Sequence, residues 1–305
     1  MIPAAVREAL VELLGDRVRF GAPLARCTSL RVGGPADALA TPETRAELAT
    51  LLELCAEKRL PHSVIGAGFN TLACDAPLFG VVIQLGRLRR LEERPGGLLR
   101  VEAGVSHSQL TNFCIQRGLS GLEFGAGIPG SIGGWLAMNA GIPEREVKDA
   151  VREIEVMSPA GRRLSHLPRA ELRFAYRGLR GLAPGSLILS ALLAVEPSEP
   201  ARVRARVQEL LARRASSQPL DVPSCGSVFK NPPGDFAGRL IESVGLKGRR
   251  IGGAQISPVH ANFIANVGGA SAADVLALIE EARRVVWQTT GRRLEPEVRV
   301  LGGKR

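Results

Sequence analysis

Five glycines crowd residues 125–134, and this stretch limits the fold more than any other part of the chain. It satisfies G-x-G-x-x-G at Gly125, Gly127 and Gly130, the spacing of a dinucleotide-binding turn. Pro129 argues against that turn, because it fixes its own φ, has no N–H and restricts Ile128. No clean strand leads into it, whereas a Rossmann turn runs straight from strand to helix. The better assignment is a loop ending at Ser131, which caps a helix continuing through Trp135 to Gly141. Gly133 and Gly134 would then let a bulky ligand approach the first turn closely. A packed glycine-rich loop without a ligand stays open as the alternative.

A second glycine-rich segment, Gly66-Ala67-Gly68-Phe69-Asn70-Thr71, follows a strand-like run at residues 62–65. Its backbone N–H groups could face a phosphate. Position 71 is Thr, so the fingerprint is incomplete, and a tight turn after a strand explains the segment equally well.

Around these loops, helices and strands mix without βαβ alternation, which makes α+β the expected class. Thr41-Pro42-Glu43 reads as a helix start, with Leu48, Leu51, Leu52 and Cys55 at helical spacing. Residues 88–92 and 98–102 flank Pro95-Gly96-Gly97 and read as a hairpin. Ser106 with Gln109 forms a capping box, and Gly118 stops that helix. Residues 151–157 and 187–195 read as strands. Glu196-Pro197-Ser198-Glu199-Pro200 looks like a boundary. An Arg-rich helix at residues 201–214 follows, with Val203, Val207, Leu210 and Leu211 on its apolar face. Ser271 with Asp274 opens a last amphipathic helix that stops at Gly291, and residues 294–301 are strand-like.

The net charge of +10 points to anionic partners. The arginines are dispersed and form no block of the kind that marks a nucleic-acid tail. At 4% aromatic residues the chain offers few stacking platforms for single strands, so phosphorylated small molecules are preferred over nucleic acid. The five cysteines, Cys27, Cys55, Cys74, Cys114 and Cys225, form no C-x-x-C pair, and the four histidines lack metal-ligand spacing, so neither disulfide nor metal is expected. No membrane-length apolar run and no secretion signal are visible, so a cytoplasmic location is expected.

The motifs in order resemble the UDP-N-acetylenolpyruvoylglucosamine reductase (MurB) family. The resemblance runs from Thr28-Ser29-Leu30-Arg31-Val32-Gly33-Gly34-Pro35-Ala36 through Gly66-x-Gly68-x-Asn70 to Gly127-Ile128-Pro129-Gly130-Ser131-x-Gly133-Gly134 and Met138-Asn139-Ala140-Gly141. It continues with Phe174-Ala175-Tyr176-Arg177, Gln218-Pro219-Leu220, residues 223–232, His260-Ala261-Asn262-Phe263 and Leu294-x-Pro296-Glu297-Val298. The length resembles the shorter subtype. One departure is Gly178-Leu179, where many relatives carry a Ser soon after the arginine.

The resemblance implies an FAD-binding module of the vanillyl-alcohol-oxidase (PCMH) type, made of two α+β subdomains, over residues 1–197. A smaller α+β substrate-binding domain over residues 198–305 would follow, its C-terminal strand returning to the active site. It implies FAD as cofactor, NADPH as reductant and the enolpyruvyl ether of UDP-N-acetylglucosamine as substrate, in a monomer with no nucleic-acid or membrane partner. Gly66, Gly68, Asn70, Thr71, Gly127, Pro129, Gly130, Ser131, Gly133, Gly134, Asn139 and Gly141 would hold the cofactor.

For the chemistry, Arg177 would bind the substrate carboxylate, Ser227 would donate a proton to the developing carbanion, and Glu297 would face the carboxylate. Tyr176, Lys230, Asn231 and Gln218 would bind substrate. Taken singly, Arg177 is an ordinary surface arginine, Ser227 a turn hydroxyl and Glu297 an exposed strand residue. The ordered motif set favours the functional assignment. The competing assignments are another flavoenzyme of the same fold and a basic nucleic-acid-binding protein.

Overall fold

The computed structural model describes residues 1–302, so the last three residues of the expected domain 198–305 lie outside the described residues. The fold is α+β, as expected. By packing, the chain forms two compact units. The first contains Met1–Phe20, Ala38–Ala67 and Phe79–Arg214; the second contains Gly21–Asp37, Gly68–Leu78 and the chain from Ala215 onward. Burial explains this grouping. The helix Pro200–Ala215 stays with the first unit because Val203, Val207 and Leu210 pack on Ile115 and Ala126. Leu30, Val32 and Leu72 instead join a core with Val228, Phe229, Leu240, Ile241 and the inner face of the helix Ala272–Thr290.

The first unit is built on a five-stranded antiparallel sheet. Its order is Leu164–Pro168, Val151–Met157, Leu187–Ala194, Leu98–Glu102, Leu91–Arg94. Side chains alternate across a strand. Val101, Ile154 and Ala191 therefore face a core shared with Leu110, Ile132, Trp135 and Leu136. Glu102, Ser190 and Glu155 pair in register across three neighbouring strands and form a polar row. Two buried carboxylates in one row are costly unless a cation meets them. Arg45, from the helix Arg45–Glu57, does so: Nη1 donates to Glu102 at 2.6 Å and Nη2 to Glu155 at 2.6 Å. Ser190 Oγ adds a bond to Glu155 at 2.7 Å. Burial pushes the Glu155 carboxyl up, but Arg45 and Ser190 outweigh it and hold the group below its usual range.

The second unit holds a four-stranded sheet in the order Ser224–Ser227, Phe263–Asn266, Ala254–Ile256, Arg250–Ile251. The helix Ala272–Thr290 has the expected Ser271–Asp274 capping box and a left-handed Gly291 at its end.

Several local expectations shift. The helix expected from Thr41 is capped instead by Thr44, whose hydroxyl accepts from Glu47 N at 3.1 Å. Thr41 is engaged elsewhere, donating to the Arg17 carbonyl at 3.0 Å. The first hairpin strand begins at Leu91 rather than 88. Leu211 is exposed, so the apolar stripe of its helix is narrower than expected. Of residues 294–301, only Arg299–Leu301 forms a strand, parallel to Thr71–Ala73.

Removing Arg45 leaves two buried carboxylates uncompensated. Arg45→Met should cost about 3 kcal/mol at pH 8, measured by urea unfolding followed by circular dichroism. In the wild type, Glu155 contributes stability above its unfolded value of about 4.3 and loses it as pH falls through the lower folded value. Without Arg45 the folded value rises, so the stability deficit should be smaller at pH 5 than at pH 8. Equal deficits at both pH values would contradict this account.

Candidate active site

In the first unit, the glycines of residues 125–134 divide by what surrounds them. A Cβ on Gly125 would strike the Trp135 ring, whose Nε1 donates to Ile128 O at 3.2 Å. A Cβ on Gly127 would lie 2.8 Å from Arg214 Cδ, and one on Gly133 would lie 2.9 Å from Ala103 Cβ. These three glycines serve packing. Gly134 does not: its φ is ordinary, and an added Cβ would meet nothing nearer than Ser131 Oγ at 3.8 Å. The helix Ile132–Met138 places this open position on its first turn, where N–H groups lack intrahelical partners. Ile132 N–H is taken by Val105 O and Gly133 N–H by Ala103 O. No carbonyl among the described residues takes the N–H of Gly134.

Ser131 occupies the N-cap position, but its hydroxyl makes no capping bond, contrary to expectation. A Cβ on Gly66 would fall 2.8 Å from Ser131 Oγ, so the two glycine-rich loops meet there. Gly130, at φ 129°, follows Pro129, and its carbonyl accepts from His107 N at 3.1 Å. A spare hydroxyl, a spare amide and an open glycine on a helix's first turn suit an anionic group such as a diphosphate.

Arg177 is the second residue of a two-residue hairpin loop between Arg173–Ala175 and Gly178–Arg180. Its φ is 54°, a left-handed conformation costing roughly 1 kcal/mol for a residue with a Cβ. Strain of this kind collects at functional sites. Its guanidinium lies 5.0 Å from the centroid of the Tyr176 ring, and Tyr176 is exposed. Arg214 is a neighbour: burial, and then the charge of Arg177, push its pKa down. Two guanidiniums close enough to repel each other favour an anion.

Asn139 and Gly141, expected at the cofactor, are tightly held by their protein neighbours. Asn139 is fully buried, and its amide is bonded to Glu146, Lys148 N and Ala175 O. Gly141 packs against Glu146, where a Cβ would lie 2.5 Å from Glu146 Cα. Neither position offers a free side-chain group, because the hairpin residues 141–146 fold back on them.

In the second unit, the other site residues gather along one backbone seam. The Val228 carbonyl, next to Ser227, accepts from Glu297 N at 2.7 Å and from Val298 N at 3.3 Å. Asn70 Nδ2 donates to Glu297 O at 3.1 Å, and Arg299 N to Asn70 O at 3.1 Å, while Thr71 pairs with Arg299. The tail thus lies between the glycine loop and the strand that ends at Ser227.

Ser29 fastens the same loop from the other side, with Oγ donating to Ser224 O at 2.6 Å and its N–H to Gly68 O at 3.1 Å. Gly68, at φ 74°, packs so closely on Cys27 and Thr28 that no side chain fits. Asn262 is buried and grips Phe229 from both sides: Nδ2 donates to Phe229 O at 2.8 Å and Oδ1 accepts from Phe229 N at 2.9 Å. Lys230 pairs with Glu295. Asn231 Oδ1 accepts from Ala237 N at 3.0 Å, at the start of the helix Ala237–Ser243. Gln218 is half-buried in the stretch before Ser224.

A family model described as the UDP-N-acetylenolpyruvoylglucosamine reductase C-terminal domain matches residues 218–301, and an FAD binding domain matches residues 36–165. A UDP-N-acetylenolpyruvoylglucosamine reductase from Geobacter metallireducens is 45% identical over 291 residues, covering 95% of this chain and 96% of its own. The chain belongs to the UDP-N-acetylenolpyruvoylglucosamine reductase family. A family relative from Symbiobacterium thermophilum is 42% identical and covers 99% of this chain and 98% of its own. The crystal structure of the Thermus caldophilus reductase superposes with a TM-score of 0.79 at 37% identity, over 92% of this chain and 97% of that one.

As a member of this family with an FAD-binding domain, the chain is an FAD-dependent oxidoreductase. The open Gly134 and the spare Ser131 hydroxyl fit the diphosphate of such a cofactor. The motifs give Ser29 and Arg214 no role, whereas Asn262, in the motif with His260, is expected to have a structural hydrogen-bonding role and has one. Arg214 ends an Arg-rich helix and resembles its solvated neighbours. Ser29 and Asn262 act on backbone groups far away in sequence, which spacing does not reveal.

Gly134→Ala tests the cradle with two opposite signs. Helix propensity should raise the stability of the flavin-free protein by about 0.5–1 kcal/mol. Flavin affinity, read by fluorescence on titration, should fall at least about tenfold. A variant that binds FAD as tightly as wild type would show that the open space beside Gly134 is not used.

Proposed function

We propose that this enzyme reduces the enolpyruvyl ether of UDP-N-acetylglucosamine to UDP-N-acetylmuramate, a step of peptidoglycan precursor synthesis, with NADPH as reductant. The observation that supports the assignment of roles is the seam at Val228, the residue after Ser227, whose carbonyl accepts from the Glu297 N–H. FAD, when bound, supplies the hydride chemistry.

The chain's own residues supply charge and protons. As hydride reaches the terminal carbon of the enolpyruvyl group, negative charge builds on the adjacent carbon and spreads into its carboxylate. Arg177, always charged and able to bind a carboxylate in a bidentate way, neutralises that group. Ser227 donates the proton to the carbon; its hydroxyl is a weak acid, but the carbanion is a strong base. Glu297, in its protonated form, donates a hydrogen bond to the developing dianion. Lys230 meets a phosphate, and Tyr176, Asn231 and Gln218 contribute to substrate binding.

In this proposal residues 1–197 serve FAD and residues 198–305 serve the UDP-sugar. No helix among the described residues is long and apolar enough to cross a membrane. The enzyme is proposed to work in the cytoplasm as a monomer, without nucleic-acid or membrane partners.

Oxidation of NADPH by the purified holoenzyme should require the enolpyruvyl UDP-sugar for turnover beyond the first flavin reduction. Substrate-independent turnover under argon would contradict the assignment. Ser227→Ala should leave flavin reduction by NADPH near the wild-type rate and slow flavin reoxidation by the UDP-sugar about a hundredfold or more, in rapid-mixing spectroscopy. Equal loss in both half-reactions would remove Ser227 from the proton-donor role.

A further inference from the structure

The hairpin that displays Arg177 is gripped from beneath. The carbonyl of Ala175, the last strand residue before the loop, accepts from Asn139 Nδ2 at 3.1 Å. The same nitrogen donates to Glu146 Oε2 at 2.8 Å, and Oδ1 accepts from Lys148 N at 3.2 Å. Asn139 has 0% exposure and a φ of 45°, and it ends the helix Ile132–Met138.

The position therefore demands three properties together. The side chain must donate twice, accept once and tolerate a left-handed backbone. Asparagine meets all three, whereas ionised aspartate cannot donate and glycine has no amide. The partners are themselves held. Lys148 pairs with Glu146, and Glu146 forms a capping box with Asp149 on the helix Val147–Ala150. Arg169 steadies the same hairpin, with Nε donating to Lys148 O at 3.1 Å and its guanidinium 5.2 Å from the Phe174 ring centroid.

We infer that Asn139 is a positioning residue for Arg177: by holding the Ala175 carbonyl, it fixes the loop whose guanidinium binds the substrate carboxylate. The inference rests on the role of Arg177 proposed above. It replaces the expected direct contact of Asn139 with the cofactor. A strained two-residue loop relaxes readily when one anchor is lost, and displacement of a binding group by about 1 Å can cost on the order of a hundredfold in rate.

The test is a double-mutant cycle in the holoenzyme. Asn139→Gly keeps the left-handed backbone and deletes the amide. It should retain FAD and reduce flavin with NADPH at a rate within about twofold of wild type. Its kcat/KM for the enolpyruvyl UDP-sugar should fall about a hundredfold, through both a higher KM and a slower oxidative half-reaction. In an Arg177→Ala background the same substitution should cost less than about threefold, because the group it positions is gone. Asn139→Asp, of the same size but without an N–H, should reproduce the loss and provides a second route if the glycine variant is unstable.

Equal losses with and without Arg177 would overturn the inference. Loss of FAD affinity with an unaltered oxidative half-reaction would do so as well, and would return Asn139 to the cofactor. A wild-type enzyme that fails to turn over the UDP-sugar would sink the parent proposal instead, so the two failures are distinguishable.

Discussion

Two carboxylates buried in the middle of a sheet would open it unless a cation lay across them, and the first unit depends on Arg45 doing so. Glu102, Ser190 and Glu155 stand in register on three neighbouring strands, and one guanidinium from the helix Arg45–Glu57 neutralises the row. The strand Leu98–Glu102 leads directly into Ala103 and Val105. Their carbonyls hold Gly133 and Ile132, and so locate the first turn of the helix that presents Gly134. The geometry of that first turn is therefore inherited from the charge balance of the sheet. Such a network adds little net stability over an apolar core of the same shape, but it fixes register. Register here decides where the loop after residue 102 begins.

Arg177 and Ser227, to which the proposed function assigns chemistry, both sit on strained or tightly held backbone. Arg177 occupies a left-handed conformation at a hairpin tip, and Gly226, at φ 75°, precedes Ser227. Neither group rests on the middle of a regular element. Both sit where a turn exposes a side chain, while buried asparagines behind them, Asn139 and Asn262, bond to the backbone and remove its freedom. Asparagine suits this task because one side chain can both donate and accept, and can satisfy backbone groups that no strand partner reaches. Catalysis by preorganised charge needs such rigidity, since a donor that must reorganise during the reaction loses much of its advantage.

Local grammar made much of the fold legible. The capping boxes at Ser106 and Ser271, the left-handed glycines at 118 and 291, and the alternation of residues 151–157 all name elements that the structure contains. Errors arose where two adjacent residues could serve the same role. Thr41 and Thr44 are both hydroxyl caps by type, and Arg17, far away in sequence, decides between them by claiming Thr41. At the site, the motifs singled out Ser227, Glu297, Arg177, Asn139 and Gly141, but not the bonds that hold Asn139 to Glu146, Lys148 and Ala175. A conserved-looking motif states that a residue matters without saying to which atom it is bonded.

The amino-acid sequence by itself determined the α+β class, several helix ends, the glycine loops and the family resemblance, because these depend on neighbours within a few positions or on motifs in order. Only the tertiary structure decided which chain segments share a core. It moved residues 21–37 and 68–78 to the unit of the C-terminal part, tied Glu297 to Val228 and Asn70, and enclosed Asn139 beneath the Arg177 hairpin. The physical reason is that a backbone carbonyl is identical at every position, so nothing in residue type announces which distant N–H or amide will claim it.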